Sequence, residues 1–155
     1  MGETERLEVR RLVAATPATV FGLLCDPNGH VAIDGSGMLQ SAEGGKVSRV
    51  GDEFVVHMDL RAFRDVPEGR YDVTVSITRF EPDAVIEWSP RGSGRPADGH
   101  CYGYRLEPAE SGTLVTSYYD WSRVPAGDRE RLPYPRIPES ALRATLGILA
   151  RTVER

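Results

Sequence analysis

The chain has 155 residues, of which 40% are hydrophobic and 27% are charged, and its net charge is −4. This profile is typical of one soluble globular domain, so we expect residues 1–155 to fold as a single unit without a disulfide or metal. The acidic balance argues against nucleic acid as a partner, and no apolar run approaches the roughly 20 residues of a membrane-spanning helix.

The cysteines and histidines do not have the spacing of a metal site. Cys25 and Cys101 are far apart, and the three histidines are scattered along the chain. We therefore expect two free buried thiols, no metal and no other cofactor. The polar N-terminus does not resemble a secretory signal, which favours a cytoplasmic location.

The first part of the chain predicts one strand followed by helices. Apolar and polar residues alternate over residues 5–14, which indicates a strand. Thr16 and Pro17 are typical of a helix start, and an apolar stripe runs from Val20 to Leu24. A short turn or helix then carries His30 to Asp34.

From about Met38 to Trp121 the apolar residues follow the period of two that is typical of strands. We place six strands at residues 38–43, 51–60, 70–80, 84–89, 99–108 and 112–122. The two longest connections, residues 90–99 and 123–137, are rich in proline or glycine and predict loops. A helical period returns at Pro138 and continues to Val153, with leucines along one stripe.

One helix cannot cover a long flat sheet, so the sheet has to curve around it, and such a curved sheet tends to leave a hollow. We therefore predict an α+β fold in which a curved antiparallel sheet of about seven strands wraps around the long C-terminal helix. One or two short helices follow the first strand.

Several segments match a known pattern. They are Val9–Phe21, Phe80–Asp83 with Ile86–Trp88, and Tyr104–Pro108 with Gly112–Thr116. In these segments and in element order, nearly the whole chain resembles the START-like, helix-grip (SRPBCC) superfamily, which includes polyketide cyclases and lipid-transfer domains. His30–Gly37 and Tyr119–Ser122 resemble a bacterial branch described as polyketide cyclase/dehydrase-like. The resemblance implies the helix-grip fold and a deep apolar cavity between the sheet and the C-terminal helix.

The inward faces of the strands and helix supply the predicted cavity lining. The candidate ligand-binding residues are Phe54, Met58, Tyr71, Val73, Val75, Trp88, Tyr102, Tyr104, Tyr119, Trp121, Leu142 and Leu146. On the last strand we favour the face of Tyr119 and Trp121, because this choice leaves Asp120 in solvent. Such a surface suits an apolar or aromatic small molecule, polyketide-like or lipid-like. The alternative is a core filled by these aromatics, as in a protein-interaction module without a ligand.

His30 and Asp34 are the candidates for catalysis. Four residues apart on a helix, they would share a face, and a histidine held by a carboxylate suits a general base. The alternative function is therefore a polyketide cyclase/aromatase or dehydratase that uses acid–base catalysis in the cavity. The opposing interpretation, which we favour, leaves His30 on the surface and makes Asp34 the cap of the turn at residues 35–37.

Other charged residues and the sheet edge complete the expectations. His100 lies either at the cavity rim or, as we favour, at an exposed strand end. Loop arginines are solvated or contact a carboxylate or phosphate on a ligand; they are Arg91, Arg95, Arg123 and Arg136. An exposed edge strand would allow a homodimer.

Overall fold

A computed structural model describes residues 5–92, 99–131 and 134–155. The strands are β1 (Arg6–Val13), β2 (Leu39–Glu43), β3 (Glu53–Asp59), β4 (Arg70–Glu81), β5 (Val85–Gly92), β6 (Cys101–Ala109) and β7 (Gly112–Asp120). The helices are α1 (Pro17–Cys25), α2 (Pro27–Ile33), α3 (Ala126–Arg131) and α4 (Glu139–Val153), with a short 3-10 helix at Leu60–Ala62. Among these helices none is long and apolar enough to cross a membrane.

The strands form one antiparallel sheet in the order β1-β7-β6-β5-β4-β3-β2. Strands β1 and β2 are therefore its edges. The sheet curves around α4, which packs against β1, β7, α1 and α2. The predicted α+β helix-grip architecture is confirmed, including the two short helices after the first strand.

Proline and aspartate fix the two short helices. The Thr16 hydroxyl accepts a hydrogen bond from the Thr19 N–H at 3.2 Å, and Pro17 occupies the first helical position. Asp26 ends α1 and also caps α2, because its carboxylate accepts the Asn28 N–H at 3.0 Å. The chain therefore turns sharply at Asp26, and α2 starts earlier than the sequence interpretation placed it.

The predicted leucine stripe of α4 forms the centre of the core. Leu142, Leu146 and Leu149 are buried, and Val153 is half-buried. On β7 the favoured face is the inner one, since Val115, Tyr119 and Trp121 belong to the core. Each fully buried leucine contributes about 2 kcal/mol of transfer free energy, so this stripe is a major source of stability.

Two connections differ from the expectation of irregular loops. Strand β5 continues through Pro90 to Gly92, while its pairing with β6 extends only to Trp88. Beyond Trp88 no strand of the described residues pairs with β5 on its β6 side, and such an edge tolerates proline. Helix α3 lies in the segment 123–137, where we expected no helix, and residues 93–98 of the other loop lie outside the described chain.

Candidate ligand-binding cavity

A cavity of about 1240 Å³ lies between the inner face of the sheet and α4. Nine of the twelve predicted ligand-binding residues line it: Phe54, Met58, Tyr71, Val73, Val75, Trp88, Tyr102, Tyr104 and Leu142. Their strands are neighbours, and the register pairs Phe54 with Val75 and Met58 with Tyr71. The alternation of side chains across the pleat therefore builds most of the wall.

The other three predicted residues, Tyr119, Trp121 and Leu146, are not in the lining; they lie in the core behind it. Tyr119 has no exposed surface, because the Tyr102 ring stacks on it with centroids 4.2 Å apart and planes 9° apart. These three therefore support the wall from behind, and their contact with a ligand stays a prediction. Sequence alternation identifies the inner face, but it does not reveal which inner residues lie behind another side chain.

Aromatic rings form a continuous strip along β5 and β6. Trp88 stands edge-on to His30 at 4.7 Å and stacks with Tyr102 at 6.1 Å, measured between ring centroids. Tyr104 is 5.8 Å from Trp88 on the other side. Because offset and edge-to-face contacts are the favoured aromatic geometries, this strip presents a rigid surface against which a flat ligand can pack.

His30 lies on the cavity wall and is 7% exposed, so the expectation of a surface histidine is wrong. Its Nε2 is 2.7 Å from the backbone carbonyl oxygen of Leu24, two residues before the sharp corner at Asp26. Burial lowers the pKa of His30, and the bond to Leu24 offsets only part of that effect. His30 is therefore a neutral imidazole at pH 7.

Asp34 does not pair with His30, so the predicted catalytic His–Asp pair is wrong. The Asp34 carboxylate accepts the Ser36 N–H at 2.9 Å, the Ser36 hydroxyl at 2.7 Å and the Leu39 N–H at 3.0 Å. These bonds close the turn before β2, as the capping interpretation predicted. The Gly35 N–H donates to the Thr145 hydroxyl at 2.9 Å, which ties this turn to α4.

A second buried histidine belongs to a polar network behind the aromatic strip. His100 is 7% exposed and lines the cavity, although we favoured an exposed strand end. Its Nδ1 lies 2.7 Å from the Tyr119 hydroxyl. That hydroxyl also accepts the backbone N–H of Arg136 and shares a hydrogen bond with the Tyr102 hydroxyl.

Burial raises the pKa of Tyr102, Tyr104 and Tyr119 above the ordinary phenol value, so all three stay neutral. Tyr102 and Tyr104 line the cavity, whereas Tyr119 does not. The wall therefore includes two tyrosines that are uncharged at pH 7. His100 and Tyr102 are two residues apart, so the sequence placed both side chains on one face of the strand. This spacing does not show that either side chain is buried.

The exposed members of the lining mark the mouth of the cavity. Phe63 is 45% exposed and Tyr71 is 40% exposed, and both lie beside the exposed Arg64 and Arg136. The segment around Phe63 was not predicted as part of the site. Phe63 directly follows the short 3-10 helix. In the sequence, the one indication of its role is that a large apolar residue stands in a polar stretch after a strand.

The predicted loop arginines have different surroundings. Arg136 lies on the lining with its guanidinium 5.6 Å from the Tyr134 ring centroid. Arg91 also lies on the lining and pairs with Glu53 at 3.2 Å. Arg123 does not line the cavity, and Arg95 lies outside the described residues.

The outer face of the sheet carries ordinary charged groups. Arg61 pairs with Asp59 at 2.7 Å, and this contact lowers the pKa of Asp59 to about 2. His57 contacts Asp72 at 2.7 Å and Glu43 at 2.8 Å, so its pKa is raised. No cluster of metal-binding side chains is found among residues 5–92, 99–131 and 134–155.

Both cysteines are free thiols. Cys25 is buried as expected, whereas Cys101 is only half-buried. Burial raises the pKa of Cys101 to about 12. At pH 7 this group is a thiol and not a reactive thiolate.

Comparison with known proteins supports the fold and not a function. No family model and no curated protein matches the sequence. Similar solved structures include protein CV1439 from Chromobacterium violaceum, which is 17% identical with a TM-score of 0.69 over 97% of this chain and 98% of that one. The AHSA1-like protein from Aeromonas hydrophila is 16% identical with a TM-score of 0.62, covering 96% and 92% of the two chains.

The Aha1 dimer from Colwellia psychrerythraea is similar over 96% of both chains, with 18% identity and a TM-score of 0.62. At these identities the similarity is one of fold. The chain therefore has the helix-grip fold that it shares with AHSA1-like proteins.

Proposed function

We propose that this protein binds an apolar or aromatic small molecule, polyketide-like or lipid-like, in the cavity between the sheet and α4. The observation that carries the proposal is the cavity itself, about 1240 Å³ with an aromatic strip along one wall. Ligand sites are typically concave and mainly apolar, with volumes of roughly 300–1,000 Å³. The cavity is large enough for such a ligand.

A few polar groups support an oriented mode of binding. Tyr102 and Arg136 both line the cavity, and the positive charge of Arg136 acts on Tyr102. A carbonyl or carboxylate on the ligand suits these two side chains, because both donate hydrogen bonds. The rings of Trp88 and Phe54 suit the apolar part.

The second candidate function is a polyketide cyclase/aromatase or dehydratase. His30 favours it, since a neutral imidazole on the cavity wall suits removal of a proton next to a ligand carbonyl. His30 is held by a backbone carbonyl and not by a carboxylate, which gives less support to an imidazolium intermediate. We therefore place binding first. Loss of turnover in His30→Gln with retained binding would support the enzyme.

Native mass spectrometry of the freshly purified protein tests the proposal directly. We expect a bound species of a few hundred daltons that is released when the protein is denatured. A matched pair of variants on β4 then locates it: Val73→Phe enlarges a lining side chain, whereas Thr74→Phe makes the same residue on the opposite face.

We expect Val73→Phe to weaken binding of a fluorescent naphthalene probe at least tenfold and Thr74→Phe to change it less than twofold. Quenching of Trp88 on the lining reports the binding. Equal losses in both variants, or a wild-type protein that binds no apolar probe, would contradict the proposal.

A cytoplasmic location and a homodimer stay predictions. The Colwellia structure is described as a dimer, and the edges of the sheet in this chain are β1 and β2. Light scattering coupled to size-exclusion chromatography would measure the mass; a monomer at every concentration would contradict the dimer.

A further inference from the structure

We propose that the bound ligand is a hydroxylated aromatic compound whose O–H group donates a hydrogen bond to Nδ1 of His30. This inference rests on the proposed function and adds the chemical class of the ligand. It follows from the tautomer of His30, the accessibility of Nδ1 and the rings around it.

The bond to Leu24 sets the tautomer. A carbonyl oxygen only accepts hydrogen bonds, so Nε2 of His30 must carry the hydrogen that it donates over 2.7 Å. In a neutral imidazole the other nitrogen then has a lone pair and no hydrogen. Nδ1 is therefore an acceptor, and it is suited to an O–H or N–H group.

This acceptor is available from the cavity. Nδ1 makes no hydrogen bond with any residue that the structure describes, and it is not sealed in by protein atoms. The His30 side chain is otherwise buried, and it lies on the cavity lining. A ligand with an O–H or N–H group in the cavity can therefore donate to it.

The surroundings keep His30 neutral. Desolvation lowers its pKa, and Asp26 is the charged group that acts in the opposite direction. Asp34 is near in sequence, but Ser36 and Leu39 satisfy its carboxylate. His30 therefore presents an acceptor and not an imidazolium donor to the cavity.

Two aromatic rings beside His30 favour a ligand whose hydroxyl group is attached to an aromatic ring. Trp88 is 4.7 Å from His30 in an edge-on arrangement, and Phe54 is 5.5 Å away and tilted. A ring packed on this surface is held beside His30, so its hydroxyl can reach Nδ1. Phenols are also stronger donors than aliphatic alcohols, because their pKa is near 10.

The test compares 2-naphthol with 2-methoxynaphthalene, which has the same rings but cannot donate. We expect wild-type protein to bind 2-naphthol about tenfold more tightly, the effect of one satisfied buried hydrogen bond. In His30→Leu an apolar side chain fills the same space, but the Nδ1 acceptor is gone and no side-chain acceptor replaces it. We expect this variant to bind both compounds within twofold of each other.

His30→Asn is the matched control, because its side-chain oxygen can replace the Nδ1 acceptor while the bond to Leu24 is lost. We expect it to keep a preference for 2-naphthol. If His30→Leu kept the tenfold preference, the inference would be overturned. Equal wild-type affinity for both compounds also overturns it but leaves the proposed function intact, whereas no binding of either compound counts against both.

A measurement on the wild type avoids dependence on variant folding. The ¹⁵N resonance of His30 Nδ1 is sensitive to hydrogen bonding, so 2-naphthol should shift it upfield and 2-methoxynaphthalene should not. An unchanged Nδ1 resonance at saturating 2-naphthol would overturn the inference.

Discussion

Tyr118 and Tyr119 are consecutive residues of β7 and lie on opposite faces of the sheet. The Tyr119 hydroxyl contacts the His100 ring and the Arg136 backbone N–H. The Tyr118 hydroxyl donates to the Glu87 carboxylate at 2.8 Å, and the Arg6 guanidinium covers its ring at 4.1 Å. Tyr119 therefore has an imidazole and a backbone group as partners, whereas Tyr118 has two charged side chains.

The histidines show the same difference. His30 is buried on the inner side against a backbone carbonyl, whereas His57, with 35% of its side chain exposed, lies between two carboxylates. Neutral polar groups can line a cavity without the large cost of a buried charge. This contrast explains how the cavity can contain two histidines and two buried tyrosine hydroxyls and still suit an apolar ligand.

The largest expected effect comes from apolar neighbours on β1. Val13 has no exposed surface, whereas Leu12 is 54% exposed. We expect Val13→Ala to lower the free energy of unfolding by about 2 kcal/mol through lost burial and a cavity, and Leu12→Ala to change it by less than about 0.5 kcal/mol. Urea denaturation measures both. Similar losses in the two variants would contradict the assignment of inner and outer faces.

The tyrosine pair should give an intermediate effect. Tyr119→Phe leaves the Arg136 N–H and His100 without the shared hydroxyl, so we expect a loss of about 2 kcal/mol. Tyr118→Phe lets water reach the partly exposed Glu87, and we expect a loss of about 1 kcal/mol or less. Urea midpoints with an unchanged m value measure the two losses. A larger loss in Tyr118→Phe would overturn the comparison.

The smallest effects should appear in the pH dependence of stability, with opposite signs for the two histidines. The pKa of His57 is raised in the fold by its bonds to Asp72 and Glu43. Its contribution is therefore complete below the unfolded pKa of about 6.5 and is lost as the pH rises through the folded pKa. For His30 the folded pKa is lowered, so stability is lost as the pH falls from about 6.5 toward that value.

Urea midpoints between pH 5 and 8 separate the two histidines. Relative to wild type, His57→Gln should be most destabilised at the acidic end, whereas His30→Gln should lose part of the acid sensitivity. Parallel pH curves for wild type and either variant would show that the corresponding histidine does not titrate as described.

Strand alternation predicted much of the cavity but not its local details. Tyr71, Val73 and Val75 were assigned correctly to one face. Alternate residues of a strand share a face whichever register the strand has with its neighbours. The bulge between Ile77 and Arg79 was not predicted; after it Phe80 joins the core from the other parity. Such a bulge depends on the pairing with β5 and not on β4 alone.

The surroundings of His30 illustrate a second limit. Asp26 and Pro27 carry an N-cap signal for a new helix, although we placed the second helix only from His30. The contact between His30 and Leu24 depends on the angle at this corner, which no periodicity describes. His100 is buried because the neighbouring Tyr102 and two rings from distant segments, Tyr119 and Tyr134, surround it.

The turn at Gly35 has a consequence for the dimensions of the cavity. A Cβ atom at residue 35 would lie 2.7 Å from the Ala144 Cβ and the Thr145 nitrogen. No side chain fits between this turn and α4, so only glycine allows so close an approach. At this end the gap between helix and sheet is set by backbone contact. Gly35 is not part of the cavity lining, but it thereby influences the size of the ligand that the proposed site could hold.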